Sequence, residues 1–134
     1  MIEIQDFHHI SLSITDLDKA KHFYGNILGL KELNRPNFDF PGAWYQIGSA
    51  QLHLILHPVS QTLRSEASMD SRDSHFAIRV KDYHETLNYL KKNNIVVHEN
   101  PNSKSGFAQI FCMDPDHNLI EFNVDQRDFY TEML

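Results

Sequence analysis

The sequence predicts an α+β fold of two matched modules, each a strand, a helix and about three further strands. Three observations carry that expectation. The stretches His-Ile-Ser-Leu-Ser-Ile-Thr-Asp at 9–16 and His-Phe-Ala-Ile-Arg-Val-Lys-Asp at 75–82 share one plan, opening on histidine and closing on aspartate. Each aspartate stands where a helix N-cap belongs. Each half then closes in an alternating strand with a ligand-type residue opposite its main apolar set, His53 in 51–56 and Glu121 in 118–124.

Taken in order, the opening strands alternate with period two, so Ile10, Leu12 and Ile14 share one face, as do Phe76, Ile78 and Val80. The histidines fall on the other face. After Asp16, the residues Leu17, Ala20, Phe23, Tyr24, Ile27 and Leu28 have helical spacing, and Gly29 is a C-terminal stop. Asp82 precedes Glu85 at the capping-box distance, Leu87 and Leu90 follow, and Asn93-Asn94 end the helix. Leu30 and Ile95 open the next strands. The polar stretch from about 59 to 73 reads as a linker. The expected organisation is one domain over 1–134, with module 1 at about 5–58, module 2 at about 74–125 and a tail at 126–134.

Composition narrows the function. The chain has 134 residues, 41% hydrophobic and 22% charged, which is ordinary for a globular domain. A net charge of −6, with no basic cluster beyond Lys91-Lys92, gives no footprint for nucleic acid. No apolar run approaches a membrane span, and the acidic start Met1-Ile2-Glu3-Ile4-Gln5-Asp6 lacks the form of a signal peptide. With its single cysteine, Cys112, the chain is expected to be cytoplasmic. Histidine is the unusual count, at nine.

The repeat sorts those nine. His9, His53, His75 and Glu121 occupy equivalent places in the two modules and face the polar side of their strands. Each alone reads as a satisfied residue on a sheet; together they point to a site for one divalent metal ion. Imidazole nitrogens with one carboxylate suit Zn, Ni, Co, Mn or Fe. By strand parity His8 points away from His9 and packs. His57 lies at a strand end, and His22, His84 and His98 are expected to be exposed.

His-His-Ile-Ser-Leu at 8–12, Asp16-Leu17 with Phe23-Tyr24 and Leu28-Gly29-Leu30, and Asp114-Pro115-Asp116 followed by Leu119-Ile120-Glu121 together resemble the vicinal oxygen chelate superfamily. That group includes glyoxalase I, extradiol dioxygenases, methylmalonyl-CoA epimerase, fosfomycin-resistance thiol transferases and bleomycin-resistance proteins. The resemblance runs from about Phe7 to Val124 and implies two tandem βαβββ modules in a cupped, barrel-like mixed sheet with helices outside. It implies His9, His75 and Glu121 as ligands. His53 falls at a fourth position that is a ligand in glyoxalase I and epimerase members and usually not in dioxygenases or fosfomycin enzymes. Glu121 is the implied catalytic carboxylate, and a homodimer is the implied assembly. One departure is His117, where a glycine usually follows the Asp-Pro-Asp turn; histidine tolerates a left-handed conformation.

On the substrate side, the loop Arg35-Pro36-Asn37-Phe38-Asp39-Phe40-Pro41-Gly42-Ala43-Trp44 is the most distinctive segment. Arg35 is a candidate clamp for a carboxylate or phosphate and Trp44 a candidate apolar wall; a surface charge and a core residue are the alternatives. Lys104 stands in a second loop that could close over an anionic substrate. Arg79 shares the face of His75, and Phe111 and Gln109 join it if their strand's parity allows. The tail, with Phe129, Tyr130, Met133 and Leu134, could cover a partner or the site. The expected activity is metal-dependent isomerisation, epimerisation or lyase chemistry on a small molecule with vicinal oxygens, through a metal-stabilised enediolate. Ring cleavage by an Fe(II) or Mn(II) dioxygenase, thiol transfer to an epoxide, and metal-free binding of the bleomycin-resistance type are the alternatives.

Overall fold

A computed structural model describes residues 1–132; Met133 and Leu134 of the apolar tail lie outside the described residues. The chain divides into two compact units, Met1–Leu63 and Arg64–Leu134, with the division inside the polar linker. In the first unit, strand β1 (His9–Ile14) leads through helix α1 (Leu17–Lys21) to β2 (Lys31–Leu33), β3 (Gly42–Ile47) and β4 (Ala50–Leu56). In the second, β5 (His75–Arg79) leads through α2 (Tyr83–Lys92) to β6 (His98–Asn100), β7 (Phe107–Met113), β8 (Leu119–Asp125) and α3 (Gln126–Glu132). The strand orders are β1-β4-β3-β2 and β5-β8-β7-β6. In each unit the opening strand pairs parallel with the last one, and the remaining pairs are antiparallel. The α+β class and the repeated β-α-β-β-β order are those read from the sequence.

The caps form as expected. Asp16 accepts from the Lys19 N–H at 3.0 Å and Asp82 from the Glu85 N–H at 2.9 Å, each satisfying a first-turn donor that the helix cannot. The first helix departs from the expected single α-helix to Leu28. It widens into a π-helix over His22–Ile27, where the Leu28 N–H reaches back to the Phe23 carbonyl, and it stops at Gly29 with φ 72°. Phe23 and Tyr24 from this segment are both buried. In α2, Asn94 takes φ 61° and ends the helix.

The central strand of each sheet is sorted by parity. On β4, Leu52 and Leu54 are fully buried with Ile14, Tyr24, Ala43 and Tyr45 in one apolar core, which leaves His53 on the other face. On β8, Ile120, Phe122 and Val124 join Ala108, Ile110 and Cys112 of β7 and Leu87 and Leu90 of α2. Glu121 and Asn123 take the opposite face. Burial raises the Cys112 thiol to about 12, so it stays protonated and unreactive.

The Asp-Pro-Asp motif is a turn organiser. Asp114, 3% exposed, accepts from the N–H groups of Asp116 and Asn118 and from the Asn118 side-chain amide. His117 sits at φ 64°, the left-handed position where relatives were expected to carry glycine, and its carbonyl accepts from Arg64. In the tail, α3 packs Phe129 against Tyr83 and His84. His84 is therefore not a solvated surface residue: its ring stacks on Phe129, and its Nε2 is buried without a hydrogen-bond partner. Helical spacing could not show this, because the covering ring comes from the far end of the chain.

Candidate functional site

The polar face of the first unit carries an aromatic stack across three adjacent strands. Trp44 on β3 is the register partner of His53 on β4, and His53 is the partner of Ser11 on β1. The Trp44 and His53 rings lie 4.0 Å apart and 5° from parallel; His53 and His9 lie 4.0 Å apart and 18° from parallel. The Nε2–H of His53 donates to Gln51 Oε1 at 2.9 Å. Residue 8 precedes β1, so strand parity does not govern it. His8 is exposed rather than packed, with its Nδ1 2.7 Å from the Nδ1 of His9.

His53 is 7% exposed. Burial, followed by the nearby His9, His8 and Arg35 charges, lowers its pKa from 6.5 to about 4, so the ring is neutral at physiological pH. The folded state thus resists protonating a group that the unfolded chain protonates below about 6.5. The stability this contributes is present above that pH and is lost as pH falls through 4, by up to ~3 kcal/mol. Denaturant unfolding of the metal-free protein from pH 7 to 4 should show this acid limb, and His53→Phe should flatten it.

In the second unit, His75 and Glu121 lie on adjacent strands, with the His75 side chain 23% exposed and that of Glu121 5% exposed. The Nδ1–H of His75 donates to the Asp73 carbonyl at 2.8 Å. That places the lone pair on Nε2, which faces Glu121 Oε1 at 3.3 Å. A lone pair and a carboxylate oxygen directed at each other require a cation, either a proton on Nε2 or a metal ion. Two donors held about 2.1 Å from one divalent ion at tetrahedral or right angles lie about 3.0–3.4 Å apart, so this pair fits a metal. Among the described residues, no group of three or more His, Cys, Asp or Glu side chains is gathered tightly enough to hold an ion together.

Glu121 is held by two side-chain amides. Gln109 donates to Oε1 at 3.1 Å and Asn123 to Oε2 at 2.6 Å. Each amide has its orientation fixed from behind. Arg79 Nε donates to Asn123 Oδ1 at 2.6 Å, and Asn100 donates to Gln109 Oε1 at 3.4 Å. Four residues thus direct their donors inward, two of them onto the carboxylate itself, which holds it stationary. Sequence reading missed Gln109 and Asn123 as partners of Glu121. Asn123 had a signal, since it shares Glu121's face two residues on; Gln109 was a candidate for the face of His75, with its parity left open because both faces of β7 are apolar.

Phe111 lies against the same pair, as the register partner of Glu121 with its ring edge-on to His75 at 5.7 Å. It also lines a cleft of about 340 Å³ with Met69, His98 and Asn100. Arg79 is committed elsewhere, to Asn123, to Asp125 at 3.2 Å and over the Phe107 ring. Arg35 is folded into its own loop, over Phe38 and Phe40, and donates to the Phe40 carbonyl at 2.9 Å. Lys104 is an exposed residue of the turn before β7. The structure therefore joins His9, His53 and Trp44 in one unit and His75, Glu121 and Phe111 in the other.

Residues 6–122 match the family model described as the Glyoxalase/Bleomycin resistance protein/Dioxygenase superfamily. The chain belongs to that superfamily. It is 26% identical over 134 residues to the metallothiol transferase FosB of Staphylococcus saprophyticus, covering 96% of this chain and 85% of that protein. It is 27% identical over 119 residues to a lactoylglutathione lyase of Neisseria meningitidis, covering 85% of this chain and 86% of that one. Among solved structures, a putative glyoxalase family protein from Bacillus anthracis superposes with a TM-score of 0.77 at 22% identity, covering 93% of this chain and 98% of that one. The fosfomycin resistance protein FosX of Listeria monocytogenes, in complex with Mn(II), has a TM-score of 0.74 at 19% identity over 93% of this chain and 98% of that one. These last two likenesses show the shared fold.

Proposed function

We propose that this superfamily member is a metal-dependent lyase or isomerase of the glyoxalase type, acting on a small molecule with two neighbouring oxygens. One divalent ion, of Zn, Ni, Co, Mn or Fe, would take His9, His75 and Glu121 as ligands. The observation that carries this reading is the His75–Glu121 pair, whose Nε2 and Oε1 stand 3.3 Å apart with Nδ1 already committed to a carbonyl. Such an ion supplies Lewis-acid polarisation of a substrate carbonyl.

The protein's own groups do the rest. Asp73 fixes the tautomer of His75. Glu121 keeps one lone pair on Oε2 beyond its bond to Asn123, and there it would accept the proton leaving the carbon beside the carbonyl. The cleft beside Phe111 would offer apolar and amide surface to the remainder of the substrate, and Trp44 is a candidate apolar wall from its place beside His53. Lys104 and Arg35 are the candidate partners of an anionic substrate group; Arg35 would first have to leave Phe40. The lactoylglutathione lyase relative supports this reaction, and the FosB relative favours thiol transfer as a second reading. The working form is taken to be a cytoplasmic homodimer, to be checked by sedimentation; no helix among the described residues is long and apolar enough to cross a membrane.

Metal analysis of protein purified without a tag should find about one divalent ion per chain. The loaded protein should then isomerise the hemithioacetal of methylglyoxal and glutathione, and a chelator should abolish turnover. Turnover of fosfomycin with a thiol instead would select the second reading. A protein that carries no ion and rejects added metal would overturn both.

A further inference from the structure

The repeat makes His53 a fourth candidate ligand beside His9, but the arrangement of the two rings argues against a shared ion. An imidazole binds a metal through a lone pair in its own ring plane. An ion common to His9 and His53 must therefore lie in both planes, about 2.1 Å from a nitrogen of each. The two rings face each other at 4.0 Å and diverge by only 18°. Planes so placed meet roughly 12 Å away, far outside the ~2.1 Å reach of a coordinating nitrogen.

The hydrogen bonds separate His53 from the other two histidines in the same way. His75 has its Nδ1 occupied, by the Asp73 carbonyl at 2.8 Å, and its Nε2 turned to Glu121 Oε1 at 3.3 Å. His9 likewise has its Nδ1 occupied, by His8 at 2.7 Å. His53 is the reverse, with Nε2 tied to Gln51 at 2.9 Å. Its ring is also closed on both faces, by Trp44 at 4.0 Å and by His9 at 4.0 Å. An imidazole enclosed in this way is held as a spacer.

We propose that His53 is a positioning residue that gives no nitrogen to the metal: backed by Trp44 and tethered by Gln51, it fixes the ring plane of His9, while His8 holds His9 Nδ1 so that Nε2 is the nitrogen presented. This rests on the reading of His9, His75 and Glu121 as ligands. It assigns functions to Trp44, Gln51 and His8 that do not require contact with substrate. It also leaves more of the ion's coordination positions open to a bidentate substrate than a four-residue set would.

The test uses the full chain. Co(II) titrations followed by visible absorption should show His53→Phe, which keeps a flat stacking ring, within about threefold of wild-type affinity and with an unchanged ligand-field spectrum. His53→Ala, which removes the stack, should weaken Co(II) binding about tenfold. His9→Ala and His75→Ala should weaken it at least a hundredfold. A loss in His53→Phe as large as in His9→Ala, with a shifted spectrum, would overturn the proposal. Nitrogen-15 spectra of wild-type histidines on adding Zn(II) avoid any folding defect of the variants. Coordination shifts at His9 and His75 but not at His53 support the proposal, and one at His53 refutes it. If the wild type binds no metal, the ligand reading fails by itself. The positioning claim is then decided in metal-free protein, where the His9 ring should stay fixed on the nitrogen-15 and carbon-13 relaxation timescale in His53→Phe and become mobile in His53→Ala; a fixed ring in both would overturn it.

Discussion

Replacing Glu121 by glutamine will cost at least a hundredfold in divalent-metal affinity and also destabilise the metal-free fold by about 1–3 kcal/mol. The first effect follows from removing the only carboxylate of the proposed ligand set. The second follows from the amide network. Glutamine must turn its NH₂ toward either Asn123 Nδ2 or Gln109 Nε2, which now donate at 2.6 and 3.1 Å. Asn123 cannot flip to accept, because its Oδ1 takes the Arg79 Nε–H at 2.6 Å; Gln109 is held in the same sense, less tightly, by Asn100. One buried donor is therefore left facing another, in a place where Gln109, Glu121 and Asn123 are all under 9% exposed. Calorimetric metal titration and denaturant unfolding read the two effects separately. Asn123→Asp offers a contrast, since it removes the donor to Oε2 and sets two carboxylates together. A Glu121→Gln protein of wild-type stability would refute the inward-donor account of the network even if metal binding were lost.

The network also marks where sequence reading stops. Strand parity sufficed to put His9, His53, His75 and Glu121 on polar faces, because β1, β4, β5 and β8 carry uniform apolar residues on the other side. Aspartate caps and glycine or asparagine stops sufficed to bound the first two helices, while α3 read only as a tail. Three further things escaped. Parity has no meaning for His8, which stands one residue before the strand, so its contact with His9 could only be seen in space. The π-widening at 22–27 leaves the helical spacing of Phe23, Tyr24 and Ile27 looking ordinary. Arg35 was legible as a charge in an aromatic loop, but whether that charge meets a substrate or its own Phe38 and Phe40 depends on how tightly the loop closes, which composition does not encode.

That closure depends on Gly42, and Gly42→Ala will destabilise the fold by about 3 kcal/mol or more. An added Cβ would stand 2.3 Å from the Leu54 carbonyl oxygen, 2.9 Å from Arg35 Nη2 and 3.0 Å from Arg35 Cζ. The Arg35 head can move. The carbonyl cannot, because Leu54 is fully buried at the centre of β4 and Gly42 is held in register opposite Ile55. Relief therefore requires the two strands to part at the end where the 35–41 loop joins β3. Displacing Arg35 would loosen Phe38 and Phe40 in the same step, since the guanidinium lies over both rings. Leu54 is the neighbour of His53 on β4, so parting the strands also disturbs the Trp44–His53 contact at 4.0 Å. Gly42→Ala should accordingly lower the unfolding midpoint and alter the fluorescence of Trp44, the chain's single tryptophan. Gly25→Ala is the control. Its Cβ would meet only the Tyr45 ring and hydroxyl, at 3.3 Å and beyond, where a side chain can give by a few tenths of an ångström. It should cost under about 1 kcal/mol and leave the Trp44 emission unchanged. Equal losses in the two variants would show that the Leu54 carbonyl yields, and that Gly42 is needed only for the turn after Pro41.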